Sequence, residues 1–231
     1  MTKHIGIVAV SAEGAALCYR TVCVEGAALL GHHAHPEVTM HTYSLADYMH
    51  QIDDGNWHEV GEMLLSSAEK LRKAGADLLI CPDNTAHEGL DQVRDRSPLP
   101  WLHIAEEVAT AAADRGYKRL LLLGTRYLME GPVYPAKLHP RGIEYEIPDA
   151  ESREQINSFI FDELVYGRFE ESTRAYFKRL IVEAQGGGCD AVILGCTEIP
   201  LLISDADSPL PTLDTTRILA RAALRAAVGQ Q

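Results

Sequence analysis

"GADLLICPDN" (75–84) and "GCDAVILGCT" (188–197) align without a gap. In each, a Gly-x-Asp lead-in precedes an apolar run, and a Pro or Gly breaks it. A reactive side chain and then an amide or hydroxyl follow, so that Asp83 falls on Cys196. A run that is apolar at nearly every position is what a parallel strand buried on both faces requires. The match predicts an internally duplicated chain with equivalent residues at the C-terminal ends of two strands.

The rest of the chain fits around these two runs. Further strand-like runs occupy 4–10, 37–43 and 119–124, beside 77–82 and 190–195. Between them lie helical patterns, including 58–74 with its stripe of Val60, Met63, Leu64, Ala68 and Leu71, and 104–115. Gly75 and Gly116 each end a helical run just before a strand, the usual place for a C-terminal capping glycine. The alternation predicts an α/β fold with helices on both faces of parallel sheets, and a domain break near 98–103.

Composition narrows the partners. A formal net charge of -12 over 231 residues argues against nucleic acid or an anionic membrane surface, since both need a basic footprint. A small-molecule substrate stays open. No run of 18 or more apolar residues occurs, and the N-terminal "MTKHIGIVAV" lacks signal-peptide features, so a soluble, cytoplasmic protein is expected. The five cysteines are odd in number and form no CxxC pair, which predicts reduced thiols rather than a disulfide framework or a thiolate zinc site. Cys18, Cys23 and Cys81 read as core residues. His32, His33, His35 and His41 lack the spacing of a metal motif and read as loop residues, so no metal is expected.

Beyond the carboxyl ends of strands in such folds, unpaired backbone N–H groups favour anionic ligands. Two strand ends facing each other would line a cleft with Asp83, Asn84 and Thr85 on one side and Cys196, Thr197 and Glu198 on the other. Thr125, in Gly124-Thr125-Arg126, comes from a third strand end. A substrate carbon between them could lose a proton to one side and regain it from the other, which is racemase or epimerase geometry. Bland alternatives stand beside this. Asp83 could cap a helix, Glu198 could be a first-turn acid favoured by the helix dipole, and Arg126 could bind an anion or close an ion pair. His87, one helical turn beyond Asp83, could tune the site or simply be buried.

The residues that carry the site also carry a family likeness. "NTAH" (84–87), "PWLHIAE" (100–106), "LLGTRYLME" (122–130), "FDELVYGRF" (161–169) and "GCTEIPLL" (195–202) resemble the cofactor-independent aspartate/glutamate racemases over nearly the whole chain. The resemblance implies two similar Rossmann-like (flavodoxin-like) domains with the active site between them, and a C-terminal helix that returns to the first. The expected boundaries are 1–102 plus 214–231, and 103–213. It also implies no cofactor, a small carboxylate substrate, commonly a homodimer, and catalysis by two cysteines. Carried over, Cys196 takes the second cysteine's place, and Asn84, Thr85, Thr125 and Thr197 take the substrate-carboxylate places. The first cysteine's place, just before Asn-Thr, holds Asp83. The family's N-terminal glycine pair with Met-Ser reads Val8-Ala9-Val10-Ser11 here, leaving Ser11 as its remnant in the substrate site.

An aspartate facing a thiol breaks the symmetry of a two-thiol site. With ordinary pKa values near 3.9 and 8.5, the state with Asp83 ionised and Cys196 protonated is favoured by roughly 6 kcal/mol. Strongly unequal turnover of the two enantiomers, or a one-base reaction, follows. A decarboxylase or maleate-type isomerase working through a single cysteine, or a non-catalytic carboxylate binder, would keep the same fold.

Overall fold

The structure, a computed structural model, describes residues 2–229. It divides into two compact units, Met1–Glu107 with Thr216–Gln231, and Val108–Thr215. In chain order the first unit contains β1 (Ile5–Ala9), α1 (Ala12–Leu30), β2 (Val38–Thr42), α2 (Leu45–Asp53), α3 (Trp57–Lys73), β3 (Leu78–Ile80), α4 (His87–Val93) and β4 (Trp101–Leu102). The helix α5 (Ile104–Asp114) crosses the boundary between units. The second unit holds β5 (Arg119–Leu123), α6 (Arg126–Glu130), α7 (Pro135–Leu138), β6 (Glu144–Glu146), α8 (Ala150–Asp162), α9 (Glu171–Gly186), β7 (Ala191–Leu194), α10 (Ile199–Leu202) and β8 (Thr212–Asp214). The last helix, α11 (Thr215–Val228), belongs almost wholly to the first unit. Gln230 and Gln231, within the span expected for the terminal helix, lie outside the described residues.

Each unit is built on a four-stranded, all-parallel sheet, with order β2-β1-β3-β4 in the first and β6-β5-β7-β8 in the second. This is the α/β architecture with two similar parallel-sheet halves that the sequence predicts. Strands β3 and β7 hold the same place in the two orders, and they are the two runs that align. All of Leu78–Ile80 and Ala191–Leu194 are buried, as inner strands covered on both faces must be.

The Gly-x-Asp lead-in does the same work in both halves. Gly75 and Gly188 have φ of 95° and 92°, the left-handed region that favours glycine. Asp77 Oδ2 accepts the His4 N–H at 2.7 Å just before β1, and Asp190 Oδ2 accepts the Lys118 N–H at 2.7 Å just before β5. Backbone bonds from Asp77 N–H to the His4 carbonyl (2.8 Å) and from Asp190 N–H to the Arg119 carbonyl (2.9 Å) complete the pairing. The lead-in therefore sets where the third strand of each sheet starts against the first.

The core of the first unit joins Ile5, Ile7, Leu78 and Ile80 to Cys18 and Val22 of α1, Ile104 of α5, and Leu219, Ala223, Leu224 and Ala227 of α11. Burying such side chains stabilises a fold by about 1.5–3 kcal/mol for each Val, Leu or Ile. The Lys3 N–H donates to the Ala227 carbonyl (2.9 Å), and Arg221 pairs with Glu25 at 2.7 Å, fastening α11 beside α1.

Three strands carry no long apolar run to announce them. β4 has two residues, and β6 ("EYE") and β8 ("TLD") have three each. All lie at sheet edges, where one side of the strand is unpaired and polar residues are tolerated. Two readings of single residues are corrected. His41 lies in β2, within the run 37–43 and paired with Val8 of β1, rather than in a loop, and its ring meets Ser67 Oγ at 3.0 Å. Cys23 is only half-buried, on the outward side of α1, while Cys18 has no exposure. Among the described residues no helix is long and apolar enough to cross a membrane, and no group of His, Cys, Asp or Glu is arranged to hold a metal ion.

Candidate active site

In the first unit the candidate residues gather at the carboxyl ends of the adjacent strands β1 and β3. Ser11, buried, caps α1, its Oγ accepting the Gly14 N–H at 3.3 Å. After β3 the chain stays buried through Cys81 and Pro82, and Asp83 is the point at which it regains partial exposure. Asp83 Oδ1 accepts the Ala86 N–H at 2.8 Å, so the carboxylate also caps the turn that leads into α4. Asn84 and Thr85 follow, both buried, their carbonyls accepting the N–H groups of His87 (3.3 Å) and Glu88 (3.2 Å). Proline fixes φ and supplies no N–H, so Pro82 ends the ladder without leaving a donor unpaired.

Cys81 sits two residues before Asp83 and is fully buried, its Sγ 4.0 Å from the Asp83 carbonyl oxygen. Burial and the neighbouring Asp83 charge push its thiol well above the ordinary cysteine range, and the thiolate, the reactive form, is suppressed.

In the second unit the residues gather at the ends of β5 and β7, which pair side by side. Thr125 caps α6, accepting the Leu128 N–H at 3.2 Å, and is buried. Cys196 and Thr197 follow β7 at 7% and 3% exposure. Between strand and cysteine stands Gly195, whose N–H donates to the Leu123 carbonyl at 2.7 Å. A Cβ there would lie 2.7 Å from that same oxygen and 2.7 Å from Leu128 Cδ2. The chain can turn this close to β5 only without a side chain, and that turn sets the position of the Cys196 sulfur.

Glu198 is the residue whose role the sequence conceals. It occupies the cap position of α10 yet makes no side-chain capping bond. Its carboxylate turns back instead, Oε2 accepting from Cys196 Sγ at 2.9 Å and from Thr197 Oγ1 at 3.2 Å. It is 2% exposed, and its second oxygen, Oε1, is buried without a hydrogen-bond partner. The sequence places Glu198 beside Cys196 at the strand end but does not distinguish a first-turn acid from one whose carboxylate turns back onto the thiol. Arg126 resolves as an ion pair with Glu154 at 2.8 Å.

Comparison with known proteins identifies the family. The model of the family described as Asp/Glu/hydantoin racemase matches residues 7–223. The chain belongs to that family. A broad-specificity amino-acid racemase, RacX of Bacillus subtilis (strain 168), is 24% identical over 163 residues, covering 71% of this chain and 70% of its own. Among solved structures, a candidate Asp/Glu racemase from Yersinia pestis superposes with a TM-score of 0.88 at 32% identity, covering 98% of this chain and 99% of that one. An aspartate racemase homologue from Pyrococcus horikoshii OT3 gives 0.82 at 28% identity, with the same coverage. A racemase-family isomerase fold thus carries the two strand ends described above.

Proposed function

We propose that this protein is a racemase or epimerase of an acidic amino acid, aspartate, glutamate or a close analogue, working without a cofactor. Asp83 and Cys196 are its acid and base on opposite faces of Cα. The observation that carries the reading is the equivalence of the β3 and β7 ends. One polar, partly exposed carboxylate and one thiol follow matched strands with matched lead-ins in a chain of this family. Ser11, Asn84, Thr85, Thr125 and Thr197 supply hydroxyl, amide and backbone donors for the substrate carboxylates, at strand ends where such donors favour anions.

The two groups start from unequal states. Asp83 rests ionised, with the Ala86 N–H bonded to it. Cys196 rests as the thiol, the ordinary state of a cysteine near neutral pH, with Glu198 Oε2 accepting from its sulfur at 2.9 Å. In that resting state Asp83 takes the Cα proton and Cys196 supplies the new one from the other side. Reaching the reverse state costs roughly the 6 kcal/mol set by the ordinary pKa values. The asymmetry appears in Cα exchange with solvent and in separate kcat and KM values. It does not appear in kcat/KM for net inversion, because interconverting enantiomers have an equilibrium constant of one. The protein acts in solution as a homodimer on a small carboxylate, with no nucleic acid or membrane partner.

The test is incubation with L- and D-aspartate and L- and D-glutamate in deuterated water, with no added cofactor. Deuterium at Cα of one of these pairs is the expected result. Carbon dioxide release would point instead to a decarboxylase, and no change in any substrate to a carboxylate binder.

A further inference from the structure

We propose that His87 is a positioning residue, a neutral imidazole that ties the Asp83 turn to the start of α5. The inference deepens the function proposed above and rests on it for the role of Asp83, but its geometry is independent. The ring is fully buried and spans two backbone groups. Nδ1 lies 2.7 Å from the Asp83 carbonyl oxygen, and the Ile104 N–H points at Nε2 from 3.3 Å. A carbonyl oxygen can only accept and an amide N–H can only donate. Nδ1 therefore carries the proton and Nε2 the lone pair, so one tautomer fits both bonds.

The neighbourhood holds the ring in that form. His103 stands edge-on to His87 with centroids 4.3 Å apart, and its own Nδ1 accepts the next amide of α5, from Ala105, at 3.2 Å. Two histidine rings thus take two of the N–H groups that a helix start leaves without intrahelical partners. Asp91 Oδ1 lies 3.3 Å from His103 Nε2, off its hydrogen-bond direction. Burial first, and then the charge that His103 and Arg94 would carry, hold His87 well below the ordinary histidine range. The Asp83 carbonyl and Asp91 oppose this only in part.

The consequence is local to Asp83. Its side chain is fixed at Oδ1 by Ala86 and its backbone at the carbonyl by His87, so both ends of the residue are held. The aligned position in the second half is Pro200, whose ring can neither donate nor accept. The tether therefore belongs to the aspartate side alone, and a displacement of about 1 Å at a reacting group is enough to cost on the order of 100-fold in rate.

Two substitutions separate positioning from bulk. In His87→Asn the amide N–H can stand in for Nδ1–H, and in His87→Gln the amide oxygen can stand in for Nε2. Deuterium exchange into the enantiomer that Asp83 deprotonates is expected to fall about 10- to 100-fold in kcat for His87→Gln, with KM within about twofold. His87→Asn recovers most of it, and neither changes exchange from the Cys196 face. Equal loss on both faces, or no loss in either variant, would overturn the proposal. Nitrogen-15 NMR of the unmodified protein decides it without activity. One protonated and one bare ring nitrogen, unchanged between about pH 5 and 8, is expected. A ring titrating near the ordinary value of about 6.5 would overturn it. If the unmodified protein exchanges no substrate while the ring shows the expected tautomer, the functional reading fails and the tether stands.

Discussion

The β3 and β7 ends agree up to one residue and then diverge. Both begin at a left-handed glycine, both anchor an aspartate on the backbone before the first strand of their sheet, and both end at a Pro or Gly just before the reactive residue. After that, one presents a carboxylate steadied by a backbone amide and a buried imidazole, and the other a thiol steadied by a buried carboxylate. The scaffold repeats while the chemistry at its two tips does not. Each tip has its own support: Asp83 has a backbone donor at its carboxylate and a buried ring at its carbonyl, while Cys196 has a carboxylate acceptor at its sulfur.

The largest effect should come from removing either tip. Asp83→Asn is expected to lower exchange from its face by about 10³-fold, within the usual range for a lost general base, and Cys196→Ser to do so for the opposite face. Enantiomer-resolved NMR in deuterated water measures both. Equal losses on the two faces for either variant would mean the tips do not act separately. Next is the turn beneath the thiol. Gly195→Ala forces a methyl against the Leu123 carbonyl and Leu128 and should destabilise the fold by about 1–3 kcal/mol. Urea denaturation checks it, and an unchanged midpoint would show that the turn can relax.

Glu198→Gln sharpens the contrast by replacing the carboxyl beside sulfur with an amide. The ratio of exchange rates from the two faces should fall about tenfold, the equivalent of one pKa unit on the thiol. An unchanged ratio would leave the asymmetry to Asp83 alone. The smallest effect concerns pH. His87 is neutral in the fold and held below the ordinary range. Below about pH 6.5 the unfolded chain therefore binds a proton there that the native one does not. Stability then falls as pH falls through that value, by up to about 1.4 kcal/mol per pH unit from this group, and levels off only below the folded pKa. Denaturation midpoints compared with those of His87→Gln isolate the contribution.

Much of this was readable in the chain because burial on both faces leaves a continuous apolar run, as in "LLI" and "AVIL", and because a left-handed turn calls for glycine at 75 and 188. The edge strands β6 and β8 were not, since half-exposed strands of three residues carry no period to read. The site divided the same way. Asp83, Asn84, Thr85, Cys196 and Thr197 sit at strand ends, which sequence marks by breakers. Glu198 and His87 act through side chains that fold back onto neighbours two and four residues away. Direction of that kind is set by rotamer and packing, and a sequence shows only that the residue is present.

The central claim is that the two faces are chemically unequal. It is tested most directly by measuring, for each enantiomer of the substrate carrying deuterium at Cα, the rate at which label is lost to water before inversion. Inequality of at least about 100-fold between the enantiomers is predicted, a fraction of what the roughly 6 kcal/mol difference in resting states would allow. Equal rates of label loss from both enantiomers would contradict the account.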